Sequence, residues 1–392
     1  LWSHHDAQWR HPEQITSQWQ DAAAVDHRLL RHSVSGAWWD TLERHGITLL
    51  VTREYEHLVM ALSVGPGGPS LTYMAIPHPS GLAVDRARGV VHLASTRNPN
   101  QVFVLAPVTG PTELREAPAG PLGDHPLVPL ESRFYPGSLR FHDLAMIGDE
   151  LYANAVGQNA VVRLGGAARV ERAWWPRCIE GANGPVFSQN HIQLNSIAAG
   201  ADLATSYFSA SADRVSHRRP GQRNFPVDGR GVIFSGATRE PVVRGLTRPH
   251  SARLHRGTLW VDNSGYGQLG MVRDGRFVPV ARLSGWTRGL CFRDTIAFVG
   301  TSRVIPRFRQ YAPGLDAERA QCGVHAVDST TGRVIGSLIW PQGNQVFSVD
   351  WVERSWSSGL PFWVGRRRAT DRQRQLFYGF STEPVGNVPN GQ

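Results

Sequence analysis

The sequence predicts an all-β fold, a six-bladed β-propeller closed by pairing of its N- and C-terminal strands and preceded by a short N-terminal helical arm. A strand–turn–strand phrase recurs along the chain, and amphipathic helical patterning nearly disappears after residue 46. One unit also lacks a first strand that the far end of the sequence can supply. The phrase is clearest at 246–261, where His250 leads a short apolar strand, a turn holding Gly257 follows, and a second strand runs over 258–261. It recurs loosely at 79–84, 141–146, 194–199, 287–292 and 346–351. Units spaced at roughly 40–60 residues mark a radial array in which each unit is one blade.

In chain order, residues 1–46 form a Trp- and His-rich arm. Ser35 is expected to cap a short helix whose Trp38, Trp39 and Leu42 share one face, with Gly46 as its stop. Trp2, Trp9 and Trp19 precede it and suit docking on the ring or on a second copy of the chain, as in a homodimer. Strands are expected at 47–52, 57–64 and 70–76, without the polar-led strand that opens every other unit. The segment 345–351 supplies it, so one blade takes strands from both ends of the propeller and no free sheet edge remains. The propeller is expected over 47–365, with a basic tail at 366–392. Long loops at 120–140, 177–193, 213–229 and 303–322 suggest a covered mouth on one face.

Length and composition agree with one closed array. A chain of 392 residues would ordinarily suggest two or three domains, but repeated blades make one. The 41 Gly and 26 Pro supply frequent turns. The formal net charge is +9, and every basic residue other than His is Arg. Those Arg residues are dispersed, with denser runs only at 214–223 and 366–374, and no aromatic-interleaved basic groove accompanies them. Nucleic acid is therefore not an expected partner, whereas a small anionic molecule or a peptide is. Cys178, Cys291 and Cys322 have no CxxC spacing and cannot all pair, which fits a reducing compartment. No run reaches transmembrane length and the N-terminus does not read as a signal peptide, so a cytoplasmic protein with no membrane partner is expected.

In a propeller the first strand of each blade lines the central channel. Aligning the six phrases places Ser80, His142, Asn195, His250, Arg288 and Phe347 at equivalent positions around it. Asp143, Ser196 and Ser251 follow one step later as support, and His191 and His78 stand at the rim. Imidazoles with a carboxylate and open positions suit a divalent transition metal (Zn, Fe, Mn or Cu) better than calcium, which prefers oxygen shells. The expected ligands are His142, His250 and Asn195, with His191 and His78 as further ones. Arg288 suits a grip on a carboxylate or phosphate. Without a metal, His142 or His250 can serve as general base, with Asp143 orienting it and Arg288 stabilising developing negative charge. Ser80, Asn195, Asn263, Tyr266 and Trp286 complete the expected substrate contacts. The expectation is a metal-dependent hydrolase, lyase, isomerase or oxidase acting at the channel mouth on a small anionic metabolite or modified peptide. The alternative is a non-catalytic propeller that presents its loops to a protein or peptide.

Five phrases become informative together: Leu-Asn-Ser-Ile-Ala at 194–198, Leu-Thr-Arg-Pro-His-Ser at 246–251, Val-Asp-Asn-Ser-Gly-Tyr-Gly at 261–267, Gly-Trp-Thr-Arg-Gly-Leu at 285–290 and Phe-Val-Gly-Thr-Ser at 298–302. They resemble a bacterial family of conserved hypothetical proteins of unknown function whose members look like six-bladed propellers. The resemblance spans residues 47–355 and implies the fold without an activity. More distantly, the layout is similar to gluconolactonase/regucalcin and strictosidine synthase-like propellers. The gluconolactonase-like resemblance implies a channel cation held by carboxylates and Asn. The channel positions here read His, Asn, His and Arg, so a calcium-dependent lactonase does not transfer.

Overall fold

A computed structural model describes residues 25–96, 100–108, 125–166 and 169–364. Trp2, Trp9, Trp19, the tail at 366–392 and the start of the 120–140 loop lie outside them. Among the described residues the chain folds into six antiparallel sheets of four or five strands, with one small two-stranded ribbon beside them. The protein is an all-β six-bladed propeller. Its innermost strands are Ser348–Glu353 in blade one and, in blades two to six in turn, Pro79–Asp85, Phe141–Ile147, Leu194–Ala198, Pro249–His255 and Trp286–Arg293. Each of these touches the next in cyclic order around the axis.

The burial of each strand follows from its distance to that axis. Ile47–Arg53 and Asn100–Pro107 are buried along their whole length, because both faces of a blade pack on neighbours. Outermost strands such as Leu127–Tyr135 and Pro241–Leu246 turn much of their length to solvent, Glu131 and Arg244 together with the apolar Leu130, Phe134 and Val242. The core is accordingly divided into layers between blades. Trp174, Phe208 and Phe234 fill one layer, with the Trp174 and Phe208 rings 4.1 Å apart. Leu49, Met60, Phe298, Val324 and Trp340 fill another. The strand Ile47–Arg53 pairs with Ser348–Glu353 on its inner side, Val51 facing Val349, and with Leu58–Gly65 on its outer side.

The helix at Trp38–His45 drops Trp38 and Leu42 fully into the layer that holds Phe298, whose ring meets Trp38 edge-on at 6.1 Å. Gly46 ends it at φ +58°, its N–H reaching back to the carbonyls of Glu43 and Leu42. Ser35 does not cap this helix. It lies in the strand Ser33–Gly36, paired with Ser337 on the outer edge of the sixth sheet, and the cap position falls to Ala37 without a side-chain bond. No helix among the described residues is long and apolar enough to cross a membrane, and all three cysteines are free thiols.

One local feature repeats around the ring and sets the site. In blade five His250 faces Asp262 while Arg253 faces Trp260, so the inner strand carries one extra residue there. The same shift occurs after Pro79, Phe141, Leu194 and Thr287. Each is a β-bulge, which twists the strand and re-aims its side chains at the channel mouth. A bond between blades repeats beside the bulges: the Ile197 N–H donates to Asp143 Oδ2 and the Ala252 N–H to Ser196 Oγ, which puts Asp143, Ser196 and Ser251 at equivalent places with His142, Asn195 and His250 immediately before them. Ser251 takes its bulge at φ +54°, as Gly289 after Arg288 does at φ +89°.

Candidate active site

A cavity of about 660 Å³ opens at the mouth of the channel, and His142, His250, Trp286 and Arg288 line it. The long loops build its walls. Gln189, Asn190 and Gln193 come from the insertion after blade three, Arg219 and Gln222 from the insertion within blade four, and Phe308 and Tyr311 from the 3₁₀ turn Pro306–Tyr311. Glu54 and Tyr55 enter from blade one.

His250 is the most constrained of these groups. It is 2 % exposed, and its Nδ1 lies 2.8 Å from the Arg248 carbonyl and 3.1 Å from Ser264 Oγ. Ser264 donates its own proton to the Thr287 carbonyl at 2.6 Å, so toward His250 its oxygen can only accept. Nδ1 therefore carries the hydrogen and Nε2 keeps the lone pair. Burial holds the imidazole pKa well below the usual histidine range, and the nearby Arg288, Arg248 and His142 push it the same way. His142 lies alongside, its ring centroid 6.3 Å from that of His250 and 5.2 Å from Phe347.

Two guanidiniums flank this imidazole. Arg248 and Arg288 are 4 % and 6 % exposed, and burial lowers each to about pKa 10, still cationic at neutral pH. Among the described residues no carboxylate lies within ion-pair distance of either. Arg248 donates Nη1 to Gln193 Oε1 at 2.7 Å and lies over the Tyr311 ring at 4.6 Å. Arg288 stacks 3.3 Å above Phe347. With its amide turned to satisfy both neighbours, Gln345 accepts from Arg288 Nη1 at 3.0 Å and donates to Glu54 Oε2 at 3.2 Å. Nη2 of Arg288 and Nε of Arg248 are buried donors without a protein acceptor among the described residues. Such a donor costs roughly 1–3 kcal/mol while it is left unsatisfied.

The other residues singled out from sequence lie elsewhere. Asn195 is buried and donates to Ser211 Oγ at 3.0 Å and to the Pro249 carbonyl at 2.8 Å. Ser80 donates to the carbonyls of Ala94 and Phe141. Asp143 does not orient a histidine: it receives Arg253 at 2.8 Å and the Ile197 N–H at 3.0 Å, tying blades three, four and five together. Asn263 closes a turn through the Thr247 N–H and Gln268, and Tyr266 donates to Asp228 at 3.1 Å. His191 approaches the Ser216 carbonyl at 3.2 Å, while His78 packs on His57 with ring centroids 4.3 Å apart.

Sequence reasoning passed over Arg248, Glu54 and Gln345. Arg248 had a signal, since Thr247-Arg248 leads one inner strand as Thr287-Arg288 leads the next. Its backbone at φ +53° turns it into the mouth just before the strand begins.

The expected divalent transition metal does not fit this lining. Two imidazoles face each other, but Asp143 is committed to Arg253, and Asn195 is committed to Ser211 and Pro249. Among the described residues no three of His, Cys, Asp and Glu cluster as metal ligands. Two flanking guanidiniums oppose a divalent cation and favour an anion.

A family model described as a domain of unknown function, DUF4915, matches residues 36–358. The chain belongs to that family. The DUF4915 match takes in the helix Trp38–His45 and all six inner strands. No curated protein matches the sequence. Among solved structures, the chain is similar to one in a nidogen/laminin complex, at 9 % identity and TM-score 0.52, covering 78 % of this chain and 98 % of that one. It is also similar to a Xanthomonas campestris gluconolactonase, at 12 % identity and TM-score 0.43 over 76 % of this chain and 86 % of that one. A regucalcin from Agrobacterium tumefaciens gives 12 % and 0.42 over 66 % and 73 %. At 9 % identity the likeness of the DUF4915 propeller to the nidogen/laminin chain is one of fold.

Proposed function

We propose that the cavity is the active site of an enzyme that acts, without a metal, on a small organic anion. Arg248 and Arg288 hold the anionic group and His250 moves the proton. One observation carries this reading: two buried guanidiniums, neither in a direct ion pair among the described residues, flank an imidazole of fixed tautomer. A buried charge without a directly paired counter-charge costs of the order of several kcal/mol, which an entering anion removes. Nε2 of His250 can take a proton from a C–H, an O–H or an attacking water beside that group and return it to the departing one. Negative charge that builds in the transition state faces the same guanidiniums. Proton abstraction, elimination and hydrolysis all use this arrangement.

A screen of carboxylic acids and phosphate esters with purified protein tests it. Once a turned-over substrate is found, His250→Gln should lower kcat by at least about 100-fold with KM little changed. Arg288→Gln should instead raise KM. A His250→Gln protein with wild-type kcat, or turnover that needs added divalent metal, would overturn the reading.

Two structural roles belong with this proposal. The pairing of Ser348–Glu353 with Ile47–Arg53 serves as the clasp of the ring, joining the two ends of the propeller in one sheet. The three free thiols suit a reducing compartment such as the cytoplasm.

A further inference from the structure

Beyond its charge, the cavity has two unlike walls. One is a continuous aromatic surface: Phe308 stacks on Tyr55 with ring centroids 6.4 Å apart, meets Trp286 edge-on at 5.2 Å and leans on Tyr311 at 5.8 Å. The other is built of amides whose oxygens are already used. Gln193 Oε1 accepts from Arg248 Nη1 at 2.7 Å, Asn190 Oδ1 from the Gln193 N–H at 2.8 Å, and Gln222 Oε1 from the Arg219 N–H at 2.9 Å. Among the described residues the three amide nitrogens have no protein acceptor. This wall therefore presents N–H donors, and a ligand lying along it must supply acceptor oxygens. The aromatic wall is a set of π-faces, whose negative potential attracts the C–H bonds of a saturated ring.

Resting on the anion-site reading above, we infer that the molecule taken up is a polyoxygenated ring anion. It is a hydroxylated ring acid of the uronic type, or the phosphate ester of a comparable ring polyol. Its charged group lies at Arg248 and Arg288, one ring face lies on the Trp286–Phe308–Tyr311 wall, and the edge oxygens accept from Asn190, Gln193 and Gln222. His250 Nε2 is an acceptor for one of its hydroxyl protons. A flat aromatic acid would satisfy the guanidiniums and the aromatic wall but leave the amide donors unsatisfied. A neutral sugar would satisfy the amides and the aromatic wall but leave the guanidiniums without an anion.

Isothermal titration of the full-length protein with glucuronate, glucose 6-phosphate, glucose, benzoate and inorganic phosphate separates these cases. Glucuronate or glucose 6-phosphate should bind at least about tenfold more tightly than both glucose and benzoate, and the tighter of the two identifies the charged group. Gln222→Leu should weaken the better sugar anion by about threefold or more and leave inorganic phosphate unchanged. Benzoate or glucose binding as tightly as the sugar anions would overturn the inference while leaving an anion site standing. Failure of every anion, inorganic phosphate included, would overturn the anion site itself.

Discussion

His250 gives one ring nitrogen to the protein and keeps the other for the cavity. Because Ser264 has already spent its proton on the Thr287 carbonyl, the tautomer is set before any ligand arrives. The low imidazole pKa has a definite pH consequence. Between the free-histidine value and the lower folded value, the unfolded chain binds a proton that the folded chain refuses. The neutral imidazole, and any turnover that depends on it, should persist as pH falls through 6.5. The protein should also lose stability over that same interval. Proton NMR titration of the His250 ring checks the first point, and a midpoint near 6.5 would contradict it.

Asp262, fully buried opposite His250, shifts the other way. Burial raises its carboxyl well above the usual range, against smaller opposing pulls from Ser251 and Arg253. Folded Asp262 thus holds its proton to higher pH than the unfolded chain does, and stability falls as pH rises through 3.8 toward the folded value. Asp262→Asn should raise the urea midpoint at pH 7, with the gain vanishing below pH 3.8.

At the scale of the element, the repeated bulge is what turns an inner strand into a site. In blade six Gly289 sits at φ +89°, where an added Cβ would come within 2.8 Å of Val349 Cγ2. Gly289→Ala should therefore cost about 1–3 kcal/mol in urea unfolding and disturb Arg288 beside it. The strand phrases were legible because apolar alternation between turns survives any neighbour they pack on. The bulge was not, since one extra residue leaves the apolar pattern intact. Glu54 and Gln345 were illegible for a different reason. They reach the cavity from opposite ends of the chain, and only the pairing of Ile47–Arg53 with Ser348–Glu353 brings their segments together.

At the scale of the whole molecule, Asp143 and Arg253 link blades three and five across the axis. Asp143 is nearly buried there, so Asp143→Asn leaves the Arg253 charge with its partner gone. A loss of about 3–5 kcal/mol is expected, largely restored by adding Arg253→Met, and equilibrium denaturation measures both. The six-fold radial layout was legible from the spacing of the phrases, but the charges that brace it were not. Nothing in the sequence distinguishes a carboxylate aimed at a cavity from one aimed at an arginine two blades away.

The central claim is that the channel mouth is made for an anion rather than a metal ion. Isothermal titration of the wild-type protein and of an Arg248→Gln/Arg288→Gln variant, with inorganic phosphate and separately with Zn²⁺, tests it most directly. Phosphate should bind the wild type and lose at least about tenfold in affinity in the variant, with no stoichiometric Zn²⁺ uptake that depends on His142 and His250. Tight Zn²⁺ binding abolished by His142→Ala/His250→Ala, with phosphate indifferent to both arginines, would contradict it.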